Sequence, residues 1–388
     1  MKNFALLAAG IAFISGTHAY ADRKWNEAND PKNFESTYVY NFNRLPLEGS
    51  LDAGTKGWSD SYWPATRGYI ADRWQVPGSA FNFKEYTAPP AYRLSSMTQS
   101  QLNLLSPAEK FDIIRGKFDY PVLTELKQAN PGPKDWWRGL CGGWTAASLA
   151  IDEPAPIVYQ TRTGLKIPMG SGDIKGLLAY YYANLDRGDA AYVGKSCRGF
   201  KKLLFGLDSS CTDMNAAAFH VVMTNELGLR KHGFAMDRDP GAETWNQPVV
   251  AFTSKVLNIK NHGLSKKKSD GAVKEVTMSA TVTYVNELYD TKEEMLENDK
   301  HVAPNYERLG KGNQHYGTLT YEYVLELDAY DNIIGGDWTG GDDHPDMLWR
   351  QKVKIENLAS DTASQKDDWS ILADILKQST AYVAEALK

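Results

Sequence analysis

The strict alternation from Leu319 to Leu327 constrains the fold more than any other stretch of this chain. Leu319, Tyr321, Tyr323, Leu325 and Leu327 fall on one side of a pleated backbone, and Thr320, Glu322, Val324 and Glu326 on the other. Such a segment is a strand with one face to bury. The β-branched run from Val276 to Val285 predicts a neighbouring strand, and Asp331-Asn332 predicts a hairpin turn into Ile333-Ile334. The second half of the chain therefore reads as antiparallel sheet, with Lys266 to Lys268 on an exposed loop.

Helical signals dominate the part before it. Ser106-Pro107-Ala108-Glu109 combines a Ser N-cap, a Pro at the first helical position and a Glu three residues after the Ser, so a helix starts there and carries Phe111, Ile113 and Ile114. Thr145 to Ile151 predicts a second helix, closed by Pro154, with Cys141 at its N-terminal end. Ser171 to Leu185 spaces Ile174, Leu177, Leu178 and Tyr181 as a third. Asn215 to Gly228 fits either a helix or a strand centred on Phe219 to Met223. Asp367 to Leu387 has an amphipathic pattern, expected to dock as a terminal helix. Helices followed by strands, without βαβ alternation, give an α+β class. The segment from Asp22 to 104, rich in Trp, Tyr, Gly and Pro, is irregular and is read as a wrap or pro-region outside a catalytic domain at 105–365. The closing helix occupies 366–388.

Met1 to Ala21 has the form of a secretory signal: Lys2, an apolar run from Phe4 to Ile14, then Ala19-Tyr20-Ala21. That run is shorter than the roughly 20 residues a bilayer requires, so no transmembrane segment is expected and the protein is read as secreted. Across 388 residues, 43 Lys+Arg oppose 48 Asp+Glu, and the formal charge of −5 argues against nucleic acid as a partner.

Export gives the 3 cysteines meaning, because thiols tend to pair in an oxidising compartment. Cys197 and Cys211 enclose a short loop whose closure would contribute roughly 3 kcal/mol, leaving Cys141 as the remaining thiol. Three buried, inert cysteines are the ordinary alternative. A helix N-terminus favours a thiolate, and Gly139, Gly142 and Gly143 would let backbone N–H groups approach a substrate carbonyl. Trp136, Trp137 and Trp144 flank the sulfur as slot walls or as core.

A cysteine nucleophile works with an imidazole held by a third group. His262, His301 and His315 stand in polar loop context. His220 lies between apolar residues, as a core histidine would, and is the candidate base. Asp237, at the end of the short strand of FAMDRDP, is the candidate orienting carboxylate, with Asp239 and Asp337 as alternatives.

The stretch TWNQPVVAFTSK, Thr244 to Lys255, resembles the surface peptide of the oomycete cell-wall transglutaminases, the transglutaminase elicitor family. The likeness extends to LSPAEK at 105–110, Cys-x-Gly-Trp at Cys141 to Trp144, DMNAAAFHVVMTN at 213–225, and GGDW and HPDMLW between Gly335 and Trp349. Val250-Ala251 departs from the Arg-Gly of the plant-recognised form, and AAAFH from a Gly- or Pro-containing approach to the histidine. The resemblance implies a calcium-dependent protein-glutamine γ-glutamyltransferase on a distantly papain-like core, acting on proteins with accessible Gln and Lys. It places the family's thiol on Cys141 and its histidine on His220. A cysteine peptidase, a glutamine deamidase and a non-enzymatic surface or glycan-binding protein are the rival readings. No EF-hand loop is present, and Asp342, Asp343 and Asp346 are the oxygen-rich candidates for calcium.

Overall fold

Glu109 and Ser106 cap one another reciprocally, as the sequence predicts, and open a helix over Pro107–Ile114. The computed structural model describes residues 23–52, 56–74, 82–129, 131, 137–186, 189–196, 213–238, 243–266, 268–287, 316–341, 343–353, 355–360 and 368–386. Numbered in chain order within these, the helices are α1 (Ala91–Leu94), α2 (Gln99–Asn103), α3 (Pro107–Ile114), α4 (Pro121–Lys127), α5 (Cys141–Ala150), α6 (Ser171–Tyr180), α7 (Ala216–Met223), α8 (Ile355–Ser360) and α9 (Ser370–Ala386). The strands are β1 (Glu48–Ser50), β2 (Ile157–Gln160), β3 (Lys166–Met169), β4 (Ala190–Gly194), β5 (Phe234–Asp237), β6 (Asn246–Lys260), β7 (Lys274–Val285), β8 (Tyr316–Leu327), β9 (Ile333–Trp338) and β10 (Met347–Gln351). The class is α+β, as read from the element order.

The main sheet runs β4-β10-β5-β6-β7-β8-β9, with β1 alongside β6, and its pairings are antiparallel. β2 and β3 form a separate hairpin. In β8 the predicted inner residues Tyr321, Tyr323, Leu325 and Leu327 are buried. Glu326, expected on the solvent side, is buried too. The Arg23 guanidinium at 3.3 Å and the Ser269 N–H at 2.8 Å satisfy it, as a buried carboxylate requires.

Two cores lie on opposite faces of the sheet. Alternation along β5 sends Phe234 and Met236 to one and Ala235 to the other, and β10 divides Leu348 from Trp349 in the same way. The first face receives α7, whose start is capped by Asn215 Oδ1 accepting from the Ala217 and Ala218 N–H groups. The ambiguous segment is thus a helix. The second face receives α5, packed beside α6. Next to these lies Trp369 at the head of α9, its ring stacked 4.4 Å from Phe111 and 5.5 Å from Tyr180.

The Trp-rich segment near the N-terminus, read as irregular, carries β1, α1 and α2, and its tryptophans lie in the core. Trp58, Trp63 and Trp74 are buried in the same cluster as Cys141. Their indole N–H groups bond the Ile151 carbonyl, Asp60 and Asp173. Asp173 also holds the buried Lys110 ammonium at 2.6 Å. Removing this segment would strip partners from buried charges, so it is an integral layer of the domain. The signal segment and the Cys197–Cys211 pair lie outside the described residues.

Candidate active site

Cys141 is the first residue of α5, four residues earlier than the sequence pattern placed the helix start. Residues of the Trp-rich segment fix this entry. The Leu140 N–H donates to the Tyr62 carbonyl at 2.6 Å, and the Ala65 N–H to the Arg138 carbonyl at 2.8 Å. Leu140 offers no side-chain cap, so the first-turn N–H groups of α5 remain available to an incoming oxygen.

The glycines around the sulfur divide into two kinds. A Cβ on Gly139 would overlap the Tyr62 carbonyl, and one on Gly143 the Ala179 carbonyl of α6, so these two permit close backbone approach within the protein. Gly142 differs. A Cβ there would meet only the Asn246 amide at 3.8 Å and the Trp349 ring at 3.9 Å, both ordinary contacts. Of the three, Gly142 is the one whose small size serves the open side of the site.

The thiol is 8% exposed and sits against the first residues of β6. Its Sγ lies 3.8 Å from the Thr244 carbonyl, to which the S–H donates, and 3.7 Å from Nδ2 of Asn246. The Thr145 hydroxyl donates to the Asn246 carbonyl at 3.1 Å and stitches α5 to β6. The Trp349 indole N–H donates to Asn246 Oδ1 at 2.6 Å. That bond settles the amide orientation, so the NH2 group faces the sulfur. Burial pushes the thiol pKa up, the backbone and side-chain N–H groups of Asn246 pull it back, and the carboxylates of Glu287 and Asp237 push it up further. Asp237 accepts the Trp245 N–H at 2.9 Å, and Glu287 accepts from Gln247 at 2.9 Å.

Cys141 and the partners of His220, which the sequence reading paired, belong to cores on opposite faces of the sheet. His220 is 1% exposed on α7, and its Nδ1 shares a 2.8 Å hydrogen bond with the Tyr323 hydroxyl. Its ring also stacks on Phe42. These partners belong to the core on the face opposite α5. Burial alone drives the imidazole pKa down to about 3, the behaviour of a neutral core histidine. Asp237 exerts its charge on the thiol side of the sheet. Asp337 is half-exposed beside Arg23 at 3.6 Å, and Asp239 lies outside the described residues. His344 pairs with Asp213 at 2.8 Å and stacks on Trp338, His262 is exposed, and His301 and His315 lie outside the described residues.

Trp144 is core, its indole N–H bonded to the Trp58 carbonyl at 3.0 Å, whereas Trp137 is half-buried. Trp136 lies outside the described residues. The residues that sequence reasoning missed are Asn246, Trp349 and Glu287. The signal for Asn246 lay within TWNQPVV, which the family resemblance marks as a surface peptide. In this chain Asn246, Gln247, Pro248 and Val249 are buried and the segment forms the floor beneath the thiol.

Among the described residues, no group of three or more His, Cys, Asp and Glu side chains is placed to hold a metal ion. Asp343 is exposed, Asp346 is buried and Asp342 lies outside the described residues. No helix among the described residues is long and apolar enough to cross a membrane.

The family model of the transglutaminase elicitors matches residues 133–374. The crystal structure of the GP42 transglutaminase from Phytophthora sojae superposes with a TM-score of 0.61, covering 92% of this chain and 100% of that one at 21% sequence identity. That likeness is one of fold. No curated protein sequence matches the chain.

Proposed function

This chain belongs to the transglutaminase elicitor family, and from that premise we propose that it is a secreted protein-glutamine γ-glutamyltransferase working through a Cys141 thioester on a papain-like core. One observation carries the reading: a buried sulfur stands at an uncapped helix start with the Asn246 amide, its orientation fixed by Trp349, aimed at it. Donors placed beside the attacking atom stabilise the charge that develops on a carbonyl oxygen during acyl transfer.

In this reaction the Cys141 sulfur bonds the γ-carboxamide carbon of a protein-bound Gln. The oxyanion is held by the first-turn N–H groups of α5 and by Asn246. The C–N bond then breaks, and ammonia leaves with the proton that the thiol gave up. A Lys amine next attacks the thioester, losing one proton as the sulfur regains one, and an isopeptide bond results; water in place of the amine leaves Glu.

The test is incorporation of a fluorescent primary amine into a Gln-rich protein such as casein. Label that depends on Cys141 supports the transferase. Release of ammonia or peptide fragments without label supports the deamidase or peptidase, which use the same thiol. Full labelling by a Cys141→Ala variant overturns the reading altogether.

A further inference from the structure

Beyond the thiol, on the same face of the sheet, lies a cleft of about 440 Å³ whose chemistry the acyl transfer does not use. Its floor is apolar, formed by Ala146, Leu149 and Ala150 of α5 together with the ring of Trp349. The charged residues lining it are overwhelmingly cationic: Lys56, Arg230, Lys231, Arg350 and Lys352, against the single carboxylate of Asp52. Arg230 and Arg350 are already engaged with the buried Glu226, at 3.2 and 2.6 Å. Lys56, Lys231 and Lys352 are exposed, and none of them takes part in a salt bridge among the described residues. In a chain of formal charge −5, three such ammonium groups around an apolar floor are a local reversal of the molecule's own field.

We propose that this cleft binds an acidic segment of the protein substrate, two or more carboxylates accompanied by an apolar side chain, and so selects the glutamine presented to Cys141. The inference rests on the reading of Cys141 as the acyl-accepting thiol. Trp349 supplies the link: its ring walls the cleft while its N–H holds the amide that faces the sulfur. The cleft volume suits a few side chains and not a membrane surface or a nucleic-acid track. Along α5, Ala146 and Ala150 lie five and nine residues past Cys141, about 8 and 14 Å at the helical rise. An extended peptide covers that span in about two to four residues. With the turn of the helix adding to this axial span, the substrate glutamine stands at least about two to four residues from its acidic pair.

Binding and turnover are tested separately, on the full chain. A fluorescent peptide with a Leu and two Glu but no Gln is titrated by anisotropy into wild type and into Lys56→Glu, Lys231→Glu and Lys352→Glu, each checked by circular dichroism for an unchanged melt. Each reversal is expected to weaken binding about three- to tenfold, and binding is expected to weaken as salt rises. In the turnover arm, a peptide with Gln three residues from the Glu pair has a lower KM than one with a Lys pair there. Peptide binding indifferent to all three lysines overturns the proposal, as does a KM indifferent to the acidic pair, or tighter capture by phosphatidylserine vesicles than by the peptide. Lysine-dependent peptide binding with no amine incorporation from any peptide supports the cleft and counts against the transferase reading alone.

Discussion

The indole N–H of Trp349 reaches Asn246 Oδ1 at 2.6 Å, and the other end of that amide faces the Cys141 sulfur at 3.7 Å. A residue of β10 thus orients a group on β6 that in turn addresses the first residue of α5. Trp349→Phe keeps most of the ring volume and leaves Oδ1 without its donor. Losing such a buried bond costs about 1–3 kcal/mol, so kcat is expected to fall about 5- to 100-fold. Asn246→Ala, which removes the donor itself, is expected to lower kcat by about 10²–10³. Amine-incorporation kinetics on both variants checks the order.

The neighbouring carboxylates set the sign of a second effect. Glu287 and Asp237 both push the thiol pKa up, so Glu287→Gln, which keeps an acceptor for Gln247, moves the thiol pKa down. The pH profile of iodoacetamide alkylation at Cys141 is expected to shift toward lower pH in this variant and toward higher pH in Asn246→Ala. An unchanged profile in both would remove these groups from the account of the thiol.

His220 is expected to matter for stability and not for turnover. His220→Ala leaves a cavity and an orphaned Tyr323 hydroxyl, at a cost of about 2–5 kcal/mol. Activity per folded molecule stays near wild type. The folded imidazole titrates near 3 against an ordinary 6.5, so the unfolded chain binds the proton more readily. The neutral ring's contribution is complete above about pH 6.5 and is lost as pH falls toward 3, on the order of 5 kcal/mol in all. His220→Gln has no titrating ring here, and urea melts from pH 7 to pH 4 should show a shallower loss than wild type.

Two adjacent glycines respond oppositely to alanine. Gly143→Ala forces a methyl into the Ala179 carbonyl and separates α5 from α6, with a loss of several kcal/mol expected. Gly142→Ala meets only ordinary contacts in a helical position and is expected to gain about 0.5–1 kcal/mol. Thermal denaturation separates the two.

By itself the sequence determined what is local. A capping box, an alternating strand and an apolar stripe each act over a few residues, and α3, β8 and α9 lie where those signals placed them. The position of Cys141 at a helix start was legible for the same reason, as was Asp237 at a strand end. The company each side chain keeps was decided by tertiary structure. Apolar residues around His220 describe a buried helix equally well on either face of a sheet, and only the strand order, which sets α7 against β8 and β9, carries it away from the thiol. Asn246 is 105 residues from Cys141, and Trp349 is 103 residues further on. Nothing periodic joins them, because their meeting follows from the antiparallel stacking of β10, β5 and β6 beneath α5. A hydrogen bond across such a distance in sequence exists only once the sheet has brought its ends together.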